Sequence, residues 1–237
     1  MGMKTFFNWS TGKDAALALY YLKQNPQYQV DLLLTSVNNH HNRISMHGLR
    51  RSMLEAQVKA IGIPLTTIEL PEEPSMEEYN SIMGEKINSL AQQNFTHSAF
   101  GDIFLEDLRK YREEKLIQYN LKAVFPLWKK DTKQLISTFL ELGFKTIVVC
   151  VNGDFLDKSF VGRVIDEQFI KDLPKNVDPC GENGEFHTFC FDGPIFSLPI
   201  EFEIGEIVAK TYTSPKTEDG LEKTIDFWFC DLIEKNN

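Results

Sequence analysis

Five consecutive residues, Ser10-Thr11-Gly12-Lys13-Asp14, put two hydroxyls, a glycine, an ammonium and a carboxylate into one turn. The apolar run from Lys4 to Trp9 before them reads as a strand, and A-A-L-A-L-Y-Y-L after them as a helix. The turn therefore joins the C-terminal end of a strand to a helix N-terminus, where unpaired N–H groups point outward. Gly12 allows close backbone approach and Lys13 adds positive charge, which makes an anion cradle suited to phosphate. The competing interpretation is a plain cap at Ser10 or Thr11 with Lys13 in water. Spacing narrows the choice of phosphate loop. A Walker A loop needs glycine where Phe7 stands and Ser or Thr where Asp14 stands. A dinucleotide fingerprint needs two glycines two residues apart, and the chain has no such pair.

The second group is Asp178-Pro179-Cys180-Gly181-Glu182-Asn183-Gly184-Glu185-Phe186-His187-Thr188. Asn183-Gly184 is a two-residue hairpin signal, so a plain hairpin with solvated Glu182 and Glu185 is one outcome. The other follows from the neighbouring Phe186, Phe189 and Phe191: carboxylates beside apolar rings acquire shifted pKa values and can hold a cation or an amine. His40, His41 and His47 are close in sequence, but no cysteine is near and no i, i+4 pair falls on a helix, so a solvated polar loop is expected there instead of zinc. Cys180, His187 and Cys190 match no structural zinc spacing. Arg43 and the Leu49-Arg50-Arg51 run are expected to form a solvated or phosphate-facing patch.

The elements that must carry these groups alternate. Strands are expected at Lys4 to Trp9, Val30 to Val37, Pro64 to Leu70, His97 to Gly101 and Ala123 to Leu127. Helices are expected after Asp14, over Gly48 to Ile61, from the Ser75/Glu78 capping box onward, over Phe104 to Leu116 and over Asp131 to Leu142. Continuous apolar strands between helices give an α/β fold, a parallel five-stranded sheet with helices on both faces and right-handed crossovers. Past Phe144 to Val151, itself a strand, glycine and proline become denser and helices scarce. Ile200 to Thr213 reads as antiparallel strand, and Leu221 to Leu232 as a closing segment of unassigned type. The boundary is set near residue 130, dividing 1–130 from a smaller α+β domain at 131–237.

The chain has 237 residues, 42% hydrophobic and 25% charged, enough for an ordinary core. Its net charge of −9 disfavours nucleic acid and anionic membranes. Four scattered cysteines, no long apolar run and no signal-type leader point to the cytoplasm. Apolar strand edges are compatible with a homodimer.

The first turn, written S-T-G-K-D-A, resembles the S-G-G-K-D-S pyrophosphate loop of the N-type ATP pyrophosphatases at four positions of six; Thr11 replaces the first glycine and Ala15 the last serine. The second group resembles the G-E-x-G-E-[F/Y]-x-T signature of the diphthine-ammonia ligase family, which pairs it with that loop. Phe100-Gly101-Asp102-Ile103 with Glu106 and Arg109, then Phe125-Pro126-Leu127-Trp128, looks like the family's second block. His187 stands where eukaryotic and archaeal members often carry an acidic residue, as in the bacterial-type branch.

The resemblance implies a Rossmann-like domain of the adenine nucleotide alpha hydrolase type and a smaller domain supplying much of the substrate site. It implies ATP cleavage to AMP and pyrophosphate through an acyl-adenylate that ammonia converts to an amide. Ser10, Thr11, Gly12, Lys13 and Asp14 would hold the phosphates, with Gly101 and Asp102 facing the same crevice. The adenine would lie near Val37 and Asn38, within reach of His47. Mg²⁺ would sit on Asp14 and Asp102. Lys13, Asp14, Glu182 and Glu185 are the expected catalytic groups, and Glu106, Arg109, Asn183, Gly184, His187 and Thr188 join Glu182 and Glu185 in the expected substrate site. Two alternatives remain: an ATP-binding regulatory module without turnover, and a tRNA-modifying ATP pyrophosphatase.

Overall fold

The computed structural model describes residues 2–44, 48–213 and 224–235. In chain order its elements are β1 (Met3–Asn8), α1 (Lys13–Gln24), β2 (Tyr28–Asn38), β3 (Arg43–Ile44), α2 (Arg51–Ile61), β4 (Leu65–Leu70), α3 (Met76–Gln92), β5 (His97–Ala99), α4 (Glu106–Ile117) and β6 (Lys122–Val124). After these come α5 (Thr132–Glu141), β7 (Lys145–Asn152), α6 (Glu167–Asp172), β8 (Phe186–Asp192), β9 (Phe202–Thr213) and β10 (Thr224–Glu234).

The first sheet has five parallel strands, as the alternation of apolar strands and helices requires. β1 is central, between β2 and β5; β4 pairs with the far edge of β2 and β6 with that of β5. A sixth strand, β3, was not expected. It adds two antiparallel residues, Val37↔Ile44 and Asn38↔Arg43, on β2 beyond Leu34, the last residue of β2 that β1 covers. A two-residue strand has no period for hydrophobic patterning to reveal.

Local signals set several boundaries. The Ser75 hydroxyl accepts from the Glu78 N–H while the Glu78 carboxylate accepts from the Ser75 N–H, a complete capping box that starts α3. Gly143 stops α5 at a φ of 79°, open to glycine without steric cost. The expected fifth strand is shorter than its apolar pattern, because Pro126 in the following turn cannot extend a ladder.

The second sheet is antiparallel, in the order β8-β7-β10-β9. From Thr224 the closing segment of unassigned type is a strand, β10, paired along most of β9, while residues 221–223 lie outside the described residues. One apolar core runs through both sheets: Leu17, Leu19 and Leu22 of α1 share it with Phe7 of β1 and with Val148 and Phe189 of β7 and β8. That placement explains why α1 is apolar almost all round; it is covered on one side by β2 and on another by β8 and by Phe144, whose ring meets Tyr20 edge-on with centroids 6.0 Å apart, as aromatic pairs prefer. The arginine patch is half-exposed and its members are held in ion pairs. Arg43 and Arg50 both pair with Asp231 of β10, holding its carboxylate below the usual range despite partial burial, and Arg51 pairs with Glu69 of β4. These ion pairs tie the last hairpin to the first sheet. Among the described residues, no helix is long and apolar enough to cross a membrane.

Candidate functional site

The turn between β1 and α1 lies at the C-terminal edge of the parallel sheet, beside the central strand, where crossovers leave a crevice for ligands. Gly12 is the N-cap of α1, without a side-chain cap from within its own turn. Among the described residues, the backbone N–H groups of Ser10, Thr11 and Gly12 have no hydrogen-bond partner. Thr11 has a φ of 70°, a left-handed conformation that disfavours β-branched residues. Its hydroxyl is buried and has no partner. The loop is held in this shape by its neighbours: the Cys190 N–H donates to the Thr11 carbonyl at 2.9 Å, and the Gln57 amide donates to the carbonyls of Thr11 and Cys190. Gln57 also accepts from the Trp9 indole, so a buried polar network fixes the turn.

The second motif closes on the same turn. The Thr188 hydroxyl accepts from the Lys13 N–H at 3.1 Å and so caps α1 from the second sheet. A methyl group added at Gly12 would stand 3.3 Å from the Thr188 carbonyl oxygen, so this approach is too tight for a side chain at Gly12 without a shift. Lys13 is 3% exposed; its ammonium pairs with Asp14 at 2.7 Å and donates to the Cys180 carbonyl. Burial alone would lower the Lys13 pKa, but the negative charges of Asp14 and Glu182 outweigh it and the net shift is upward. Asp14, Asp102 and Glu182 are neighbouring acidic groups. Burial is the first cause that raises the pKa of each; Asp178 adds to it at Asp14, Asp14 at Asp102, and Asp14 and Asp102 at Glu182, which reaches about 7.

Glu182 accepts from the Ile103 N–H at 2.7 Å and lies also 3.4 Å from the Phe104 N–H, which joins the second motif to the loop after β5. In that loop, a Cβ at Gly101 would lie 3.0 Å from the Ala15 nitrogen, so glycine lets β5 run hard against the first turn of α1. Asp102 is paired with Arg112 of α4 at 2.9 Å.

Other expected site residues take different places. Glu185 is fully buried, and its carboxylate accepts from the N–H groups of Asp178 and Asn183 and from the Asn183 side chain. These bonds shape the loop around Asn183 and Gly184, so the alternative of a plain hairpin with solvated glutamates does not hold for Glu185. His187 lies on β8 opposite Cys150; burial, then the charge of Lys13, lowers its pKa to about 4, so it is neutral at pH 7. Glu106 is exposed and pairs with Lys129. Arg109 lies over the rings of Trp128 and Phe125 and lines an open cavity of about 490 Å³ with Tyr21, Asn25, Tyr28 and Lys130. Neither shares a contact with Lys13. Val37 is buried in β2, and Asn38 bridges to the loop after β4 through the carbonyl of Glu72. His47 lies outside the described residues. Gln57 and Arg112 are parts of the site that sequence patterning missed: each acts across elements, with no local signal.

Comparison with known proteins agrees with this pairing of motifs. Residues 3–123 match the model of the diphthamide synthase N-terminal domain, and residues 131–216 that of the diphthamide synthase C-terminal domain. The diphthine–ammonia ligase of Bos taurus is 29% identical over 110 residues, 44% of this chain and 41% of that protein. That of Danio rerio is 27% identical over 191 residues, 69% of this chain and 74% of that protein. The chain thus matches only about two-fifths of the length of the bovine relative. Among solved structures, a U34-tRNA thiolase from Methanococcus maripaludis aligns over 60% of this chain and 57% of its own, at 18% identity and a TM-score of 0.38. With both domain models matched over most of its length, the chain belongs to the diphthamide synthase family.

Proposed function

We propose that the chain is an ATP-dependent, AMP-forming amide ligase of the diphthine–ammonia ligase type, with residues 1–130 holding the nucleotide and 131–237 completing the substrate site. The observation that carries this is the closure of the second motif on the first: Thr188 caps Lys13, Cys180 holds its ammonium, and Glu182 stands in its field. A loop with three unpartnered N–H groups and an orphaned buried Thr11 hydroxyl suits phosphate oxygens, since buried polar groups in folded proteins are nearly always satisfied. An ammonium has three donors, and Asp14 and Cys180 take two from Lys13, leaving one for the ligand.

In this scheme a carboxylate oxygen of the acceptor attacks the α-phosphorus of ATP, the bond to the β-phosphate oxygen breaks, and pyrophosphate leaves with the electron pair. Lys13 and the loop N–H groups stabilise the charge that grows on it. Ammonia then attacks the acyl carbon, AMP departs, and the nitrogen loses a proton. Glu182, with a pKa near neutrality, suits that proton transfer. Asp14 and Asp102 would offer Mg²⁺ oxygen ligands of the kind it takes; in the free protein Asp14 pairs with Lys13 and Asp102 with Arg112, and burial is the first cause of their raised pKa values. When bound, the cation screens the phosphates. Glu185 and Gln57 position the two loops.

The test is the product. With ATP, Mg²⁺, ammonia and a carboxylate acceptor, AMP and pyrophosphate should appear in equal amounts. ADP as sole nucleotide product refutes the scheme, and ATP binding without turnover for any acceptor favours a regulatory module. The net charge of −9 argues against a tRNA substrate, for which a salt-dependent complex would be the sign.

A further inference from the structure

Beyond the nucleotide turn, the same edge of the parallel sheet carries a second group of ligand-type side chains. His40 and His41 follow β2, and Glu72 follows β4, its parallel neighbour. We propose that His40, His41 and Glu72 form a binding site for a divalent cation of the zinc class, independent of the nucleotide site.

The backbone brings the two loops together before any ion is present. Asn38 pairs with Leu70 in the ladder, and the Asn39 N–H donates to the Leu70 carbonyl at 2.8 Å. The Asn38 side chain then spans the gap: its amide donates to the Glu72 carbonyl at 3.1 Å, and its oxygen accepts from the His41 N–H at 3.0 Å. A ligand set held by such supporting bonds loses less entropy on binding.

One donor atom from each side chain lies within 4.8 Å of the others. His41 Nε2 is 3.1 Å from Glu72 Oε1, and His40 Nε2 is 3.8 Å from Glu72 Oε2. Tetrahedral zinc with bonds near 2 Å needs donors about 3.4 Å apart, so small side-chain rotations suffice. Two imidazoles and a carboxylate favour Zn²⁺ over the harder Mg²⁺, and three protein ligands leave a position for water. Counting cysteines and histidine spacing points away from zinc here, because the third ligand is a carboxylate from the next strand's loop. The four thiols are poor competitors: all are buried, and burial raises the pKa of Cys150 to about 12 and of Cys230 to about 11.

Calorimetric titration of the whole chain with Zn²⁺, without nucleotide, tests this. One equivalent should bind saturably and raise the melting temperature. His41→Ala and Glu72→Gln, both at exposed positions and so neutral to folding, should each weaken binding at least about tenfold and abolish the thermal shift. Glu182→Gln should leave zinc binding unchanged, which separates this site from the acidic cluster at Lys13. The proposal fails if no saturable binding occurs, or if binding survives His41→Ala and Glu72→Gln. It also fails if binding is lost with Glu182→Gln or with His47→Ala while His41→Ala retains it. None of these outcomes depends on whether the chain cleaves ATP.

Discussion

The Thr188 side chain caps the backbone of Lys13 across 175 residues of sequence, so the first helix of the parallel sheet receives its N-terminal cap from the antiparallel one. A cap of this kind contributes about 1 kcal/mol. Thr188→Val keeps the shape and removes the acceptor; in urea denaturation it should cost about 1 kcal/mol, and Thr188→Ser should recover most of it. Equal stability of Thr188→Val and the parent chain would show that the cap has no energetic weight.

Thr11 is the one β-branched residue of the turn, and it sits at a positive φ with a buried hydroxyl that finds no partner. Both features destabilise the free protein. Thr11→Gly removes them together, though it also frees the unfolded chain, so a net gain of about 1 kcal/mol is expected in thermal or urea unfolding. A loss of stability would mean that the threonine methyl packs well enough to outweigh the strain.

Gly101 admits the first turn of α1 to within 3.0 Å of where a Cβ would stand. The atoms there are backbone, which cannot rotate away. Gly101→Ala should therefore destabilise by about 1–3 kcal/mol and weaken ATP binding, since the helix start itself must shift. Calorimetry on the folded fraction separates the two effects.

Glu182 holds its proton up to about pH 7, because burial and then the nearby carboxylates disfavour its charge. An unfolded glutamate titrates near 4.5. Between these values the folded chain binds more protons than the unfolded one, so this group makes stability fall as pH rises from about 4.5 to about 7. His187, lowered to about 4, acts in the opposite sense from there up to its ordinary 6.5. The difference between the parent and Glu182→Gln isolates the glutamate: the variant should gain on the parent progressively across that window, by about 1–3 kcal/mol at pH 8. A constant difference from pH 4.5 to 8 would contradict the raised pKa.

Much of this arrangement was legible in the sequence because it is local. The strand, turn and helix around Gly12, the capping box at Ser75 and the stop at Gly143 each follow from residues within a few positions of one another. The parallel strands follow from continuous apolar runs between helices, although two of them, β5 and β6, keep only three residues each. What stayed hidden is what acts between elements. Nothing near Gln57 in the chain announces that its amide braces the Thr11 carbonyl, and nothing near Glu185 shows that its carboxylate turns inward to Asp178 and Asn183. Arg109 carried the right chemistry for a site, but its helix directs it onto Trp128. Charge identifies what a residue can do; only packing settles which crevice it faces.

AMP-forming cleavage requires the turn at Ser10 to Asp14 to hold the pyrophosphate portion of ATP. Titrating ATP and inorganic pyrophosphate, each with Mg²⁺, into the parent chain and into folded Lys13→Ala, checked by circular dichroism, tests this most directly. Both ligands should bind the parent and compete with each other, and Lys13→Ala should weaken both at least about tenfold, the loss of one charged hydrogen bond. Unchanged affinity in Lys13→Ala, or ATP binding that pyrophosphate does not displace, would place the phosphates elsewhere and contradict the account.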